Sequence, residues 1–131
     1  MITISSRGPD IPAALDKAAR KAPKVATAVA VDAVELIARR ARQLVPTETG
    51  RARSSIKVDD GKGRATVVAG GPRARHFGWL DYGGLLRKQN ISRPYKRGGR
   101  YIYPAAGDVW PKVRRALDAG AADIVKATGL R

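Results

Sequence analysis

KVATAVAVDAVELIARRARQLV, residues 24–45, has the periodicity of a helix with one apolar face. Ala30, Val34, Ile37, Ala41 and Leu44 recur at spacings of four, three, four and three, which stacks their side chains along one side of an α-helix. Arg39, Arg40, Arg42 and Gln43 fall mostly off that stripe. The pattern predicts a long core helix, ended by Pro46 and Gly50. Its apolar side is rich in alanine, so it is expected to pack closely through small side chains.

Working toward the N-terminus, Asp10 is a candidate cap for a short helix containing Pro12, Ala13, Ala14 and Leu15. Pro23 should end or kink it, because proline lacks the amide donor that a helix interior uses. Residues 1–23 are thus expected as an arm or short helix ahead of a core over 24–128. On the other side, 51–58 places Ser54, Ile56 and Val58 on one face, and 64–69 alternates toward Val67 and Ala69. With the turn-forming cluster 59–63 between them, the two stretches read as a hairpin. Gly70, Gly71 and Pro72 break the second strand.

The one aromatic-dense stretch follows, with His76, Phe77, Trp79 and Tyr82, closed by Gly83 and Gly84. Residues 85–100 then hold Arg87, Lys88, Arg93, Lys96, Arg97 and Arg100 with no acid, a block that repels itself and is expected as a mobile basic loop. Residues 101–104 read as a short extended segment. A last helix is predicted from Asp108, a plausible cap, to Thr128, with Val113, Leu117, Ala121, Ile124 and Val125 on its apolar face. Gly120 lies inside it and should weaken it by about 1 kcal/mol relative to alanine. The expected fold is a single α+β domain over 1–131. It has one antiparallel sheet, with a long N-terminal helix and a C-terminal helix packed on it.

Composition narrows the chemistry. Among 131 residues there are 26 Lys and Arg against 11 Asp and Glu, a net charge of +15, and residues 46–104 supply nine of those charges. The absence of cysteine rules out a disulfide scaffold, thiolate metal sites and a cysteine nucleophile. His76 is the sole histidine, so neither a multi-histidine metal site nor a metal cofactor is expected. Gly61-Lys62-Gly63 lacks the spacing of a phosphate loop. Asp59 and Asp60 are adjacent in a turn, which gives no reason for a shared proton, and Ser54 and Ser55 have no assured base. No catalytic residues and no cofactor are assigned; the reading is of a non-enzymatic protein. No apolar run is long enough for a membrane helix, and the first residues lack the order of a signal peptide, so a soluble protein is expected. The charge is suited to phosphates or to an acidic protein surface, with no docking motif that reads sequence.

Four stretches occur in a familiar order. ARRARQLVPTETGRARSSI (38–56), Gly71-Pro72, FGWLDYGG (77–84) and RYIYPAA (100–106) together resemble the family of siphophage tail-completion and head–tail joining proteins, the minor tail protein Z-like tail components. Asp81 stands where that family commonly has Glu. The resemblance implies a structural virion protein made in the host cytoplasm. It also implies a ring of identical copies at the neck, completing or terminating the tail and joining it to the head. Neighbouring neck and tail-tube proteins are the implied partners, with genome DNA in the lumen as a further one. Trp79, Asp81 and Tyr82 are expected at or beside a subunit contact, because aromatics and glycines crowd around one carboxylate. Arg87, Lys88, Arg93, Lys96, Arg97 and Arg100 are expected to meet DNA or a neighbouring ring. The alternative is a free basic nucleic-acid-binding protein.

Overall fold

The computed structural model describes residues 2–5, 12, 13, 15, 17, 20, 22–46, 50–61, 64–71, 74–86 and 91–128. The elements are β1 (Ile2–Ser5), α1 (Pro23–Leu44), α2 (Arg51–Ser54), β2 (Lys57–Gly61), β3 (Arg64–Val68), α3 (Phe77–Tyr82), β4 (Gly84–Leu86), β5 (Ile91–Arg93) and α4 (Ile102–Thr128). Ahead of α1, Ala13, Leu15, Lys17 and Arg20 are helical, and Leu15 is buried; Asp10 and Ala14 lie outside the described residues. The α+β class is the one expected, with two small antiparallel sheets among the described residues in place of one, ordered β1-β3-β2 and β4-β5.

Pro23 begins α1, where a missing amide donor costs nothing. Ala30, Val34, Ile37 and Ala41 are buried as the stripe predicted, joined by Ala26, Ala33 and Ala38, while Leu44 is partly buried. This face meets two partners: α1 lies on the sheet chiefly through β3, and α4 packs along α1. From α4 come Val113, Leu117, Ala121 and Ile124, all buried. Each fully buried Val, Ile or Leu in this seam contributes about 1.5–3 kcal/mol. Gly120 has a packing role, since a Cβ there would overlap the side chain of Val29. The helix former lost at Gly120 is exchanged for close approach of α1 and α4.

Five local expectations are corrected. Residues 51–54 form a turn of helix and not the start of a strand: Gly50 at φ 71° sets the chain up, and the amides of Ser54 and Ser55 donate to the carbonyls of Gly50 and Arg51. The hairpin is tighter than expected, because Asp59 and Asp60 pair with Thr66 and Ala65, and the ladder continues to Gly61 opposite Arg64. Residues 101–104 are not extended. The helix α4 starts at Ile102, and the Ala105 amide already donates to the Tyr101 carbonyl. Pro104 is tolerated there because first-turn amides have no intrahelical acceptor. Asp108, read as the cap, lies within α4 and pairs with Arg40 Nε at 3.0 Å, tying α4 to α1. The strand β1, within the stretch expected as an arm or short helix, pairs antiparallel with β3 from Ile2 opposite Val67 to Ser5 opposite Arg64.

Two partly buried fasteners hold the middle of the chain to α1 and β3. Arg42 donates from Nε and Nη2 to the Ile56 carbonyl at 3.1 and 2.9 Å, and from Nη1 to Glu35 at 2.9 Å. Ser55 Oγ donates to the Ala52 carbonyl at 2.6 Å and accepts from the Gly70 amide at 3.0 Å. That hydroxyl therefore has a structural use.

Candidate interaction surface

Asp81 organises the region that the sequence marked as aromatic and glycine-rich. The helix α3 ends at Tyr82, and Gly83 at φ 91° turns the chain so closely against the next hairpin that a Cβ would overlap the Pro94 carbonyl. Asp81 is only 2% exposed. Its Oδ1 accepts from the amides of Arg100 at 2.7 Å and Tyr101 at 2.8 Å. A carboxylate thus sits at the start of α4, where two orphan donors and the helix dipole favour negative charge. Gly99, at φ 76°, passes so near that a Cβ would lie 2.8 Å from Oδ1. Asp81 is an internal fastener, with Trp79 and Tyr82 half-buried on either side of it in sequence.

Trp79 is held from two directions: its Nε1 donates to the Gly84 carbonyl at 2.9 Å, and the Arg93 guanidinium lies 5.7 Å from the ring centroid. Such a cation–π contact is worth about 0.5–1 kcal/mol where exposed. Arg93 Nη2 also donates to Tyr101 Oη at 3.1 Å. Arg100 donates from Nη1 to the Asp81 carbonyl at 3.2 Å and from Nη2 to the Pro94 carbonyl. The planar fork of guanidinium suits such multiple acceptors.

The stretch 85–100, expected as a mobile loop, is therefore ordered in its described part. It forms the hairpin β4–β5 and a turn whose Lys96 amide donates to the Tyr82 carbonyl at 2.8 Å. Of the six cations assigned to an outside partner, Arg93 and Arg100 are engaged within the chain, and Arg87 and Lys88 lie outside the described residues. Lys96 and Arg97 are exposed. His76 is exposed at the start of α3, and its carbonyl accepts from the Leu80 amide.

Sequence reading missed the aromatic surface around this fastener. Tyr95 is 71% exposed, Tyr103 47% and Trp110 43%. Burial, then the Asp81 carboxylate, then the nearby Tyr103 and Tyr95 push the Tyr82 phenol above its ordinary value of 10.0. Tyr95 and Tyr103 thus lie near Tyr82. Tyr103 and Trp110, seven residues apart on α4, share a side of the helix. That spacing was readable, but only once 101–107 is taken as helical.

A family model for HK97-gp10-like bacteriophage tail components matches residues 10–83, more than half of the chain. The chain belongs to this family. It is a component of the bacteriophage tail, and so a virion protein whose partners are other phage proteins. The matched segment includes α1, the β2–β3 hairpin and α3 with Asp81; the second hairpin and α4 follow it. No curated protein and no solved structure gives a match. Among the described residues no helix is long and apolar enough to cross a membrane.

Proposed function

We propose that this tail component is a non-enzymatic, ring-forming subunit of the head–tail junction, which completes or terminates the tail and joins it to the head. The observation that carries the reading is the exposed aromatic surface of Tyr95, Tyr103 and Trp110 beside the half-buried Trp79 and Tyr82. Exposed aromatics with arginine nearby are enriched at protein interfaces and depleted elsewhere on surfaces. Asp81 acts from behind, holding α3 against the start of α4 so that Trp79 and Tyr82 keep their places at the subunit contact. Neighbouring neck and tail-tube proteins stack on the ring. Arg87 and Lys88 are assigned to a neighbouring ring or to the DNA that passes through the lumen, where contacts to phosphate carry no sequence information, while the exposed Lys96 and Arg97 follow Tyr95 and go with the aromatic contact.

The test is particle assembly with a Trp79→Ser/Tyr82→Ser variant supplied in place of the wild-type chain. Electron microscopy is expected to show full heads and tails left unjoined, or tails of irregular length. Normal joined particles would remove the aromatic face from the account.

The net charge of +15 favours a second reading, a free nucleic-acid-binding protein. It predicts binding whose affinity falls with salt, and a logarithmic slope that flattens by about 0.9 for each phosphate contact removed. Under that reading the Trp79→Ser/Tyr82→Ser variant leaves particles intact, while replacing Lys96 and Arg97 weakens DNA binding.

A further inference from the structure

We infer that copies of this chain join head to tail, with the Tyr95–Arg97 turn of one copy seated in the groove between α1 and α4 of the next. The inference rests on the ring reading above and supplies its contact.

The groove is apolar, with Val25 and Val29 of α1 facing Ala116 and Gly120 of α4, and it is flanked by Asp32 and Asp123. Val25 is half exposed, and Ala116 and Ala119 on α4 carry only methyl groups, which keeps the groove open to a flat ring, while the place of a Gly120 side chain is taken by Val29. Among the described carboxylates without an ion pair, these two flank a groove, whereas Asp59 and Asp60 lie on the β2–β3 hairpin. Glu35 pairs with Arg42 and Arg39, Asp108 with Arg40 and Asp118 with Arg114, while Asp81 is buried under backbone donors. Among the described residues, Asp32 and Asp123 are exposed and form no ion pair, and no Lys or Arg lines the groove. An acid-flanked apolar groove repels phosphate. It suits a partner that carries an apolar ring between cations.

The chain itself presents such a group. Tyr95 is 71% exposed and is followed by exposed Lys96 and Arg97. The turn is already ordered, by the Lys96 amide on the Tyr82 carbonyl and by the Gly99 amide on the Lys96 carbonyl at 3.0 Å. Little conformational freedom is therefore lost on docking. The turn is fastened beside the start of α4, whereas Gly120 lies eighteen residues into the helix from Ile102, about 27 Å along its axis at 1.5 Å per residue. A copy cannot fill its own groove. One turn and one groove per chain make a heterologous contact, which closes into a ring when the rotation between copies allows it.

Two variants separate the halves of the contact: Asp32→Lys/Asp123→Lys in the groove and Lys96→Glu/Arg97→Glu on the turn. All four positions are exposed, so both are expected to fold, which circular dichroism checks. Native mass by light scattering is expected to give a discrete closed oligomer for the wild type and monomers for each variant, association falling about a hundredfold because like charges are brought together. Mixed one to one, the variants should regain a larger oligomer in which they alternate, since the unaltered turn of one fits the unaltered groove of the other and the glutamate turn fits the lysine groove. The variant carrying all four changes should regain the wild-type mass. Because the chain has no cysteine, a Lys96→Cys/Asp123→Cys variant adds a second readout, a disulfide-linked ladder under oxidation. Variants that keep the wild-type oligomer would overturn this contact and leave the ring reading standing. A wild type that stays monomeric at high concentration, with no ladder, also overturns it, and the particle assay then judges the ring reading separately. Groove variants that assemble normally on duplex DNA, with turn variants that lose it, would assign Tyr95–Arg97 to nucleic acid.

Discussion

Replacing Asp81 with alanine removes one acceptor atom that serves two backbone donors at the start of a 27-residue helix. Hydrogen bonds to a charged group contribute about 1.5–3 kcal/mol each, and these two share one oxygen, so their loss is less than additive. The expected cost is about 2–4 kcal/mol, a large part of the 5–15 kcal/mol that holds a typical domain together. In a chain of this size that lowers the melting temperature by roughly 10 °C. Asp81→Asn keeps an oxygen at the same place without its charge and should lose about half as much. Gly99→Ala provides the control. Its Cβ would sit 2.8 Å from Asp81 Oδ1 in a backbone conformation with φ 76°, so in the wild-type background it costs both strain and a clash. In the Asp81→Ala background the clash is gone, and only the backbone strain of about 1 kcal/mol should remain. Urea unfolding of the four members of this cycle, followed by circular dichroism, measures the coupling. An Asp81→Ala variant within 0.5 kcal/mol of wild type would refute the fastener, and so would an equal cost of Gly99→Ala in both backgrounds.

Other consequences are smaller or more local. Gly120→Ala should destabilise by about 1–2 kcal/mol despite the better helix former, because its Cβ overlaps Val29; adding Val29→Ala should recover part of that loss in thermal melts. Arg42→Met should cost about 1–2 kcal/mol in urea unfolding by freeing the Ile56 carbonyl, and Arg42→Lys should rescue little, since an ammonium lacks the fork. The Tyr82 phenol is raised above 10.0 in the folded chain, which favours its neutral form; its contribution to stability is full below pH 10 and is lost as pH rises through the raised value. Stability measured from pH 9 to 12 should therefore fall less steeply in Tyr82→Phe, and identical slopes would contradict the placement beside Asp81.

Much of the architecture is written in local pattern. The stripe from Ala30 to Ala41 and the apolar face from Val113 to Ile124 place both long helices, because a buried helical face repeats every three to four residues wherever its partner lies. What escaped is what depends on residues far apart. The strand β1 is four residues long, and its partner β3 lies some sixty residues away, so nothing beside it in the chain marks it. The start of α4 was misplaced for the same reason: the group that satisfies its first amides is Asp81, nineteen and twenty residues upstream, while Asp108, which resembles a cap, pairs with Arg40. Around Asp81 the structure brings Trp79 to Arg93 and Asp81 to Arg100, contacts not anticipated from the sequence. Which of these residues are fasteners could not be read locally. Arg93 and Arg100 look like Lys96 and Arg97 in sequence, and only the position of Trp79, Tyr101 and the Pro94 carbonyl separates the engaged pair from the exposed one.

The central claim is that this tail component is built to associate with itself and not primarily with nucleic acid. Native mass spectrometry of the purified chain, at near-physiological salt with and without duplex DNA, tests it most directly. A single closed oligomer without DNA, unchanged in stoichiometry when DNA is added, is the predicted result. A monomer that gains mass only on DNA and sheds it as salt rises would contradict the claim.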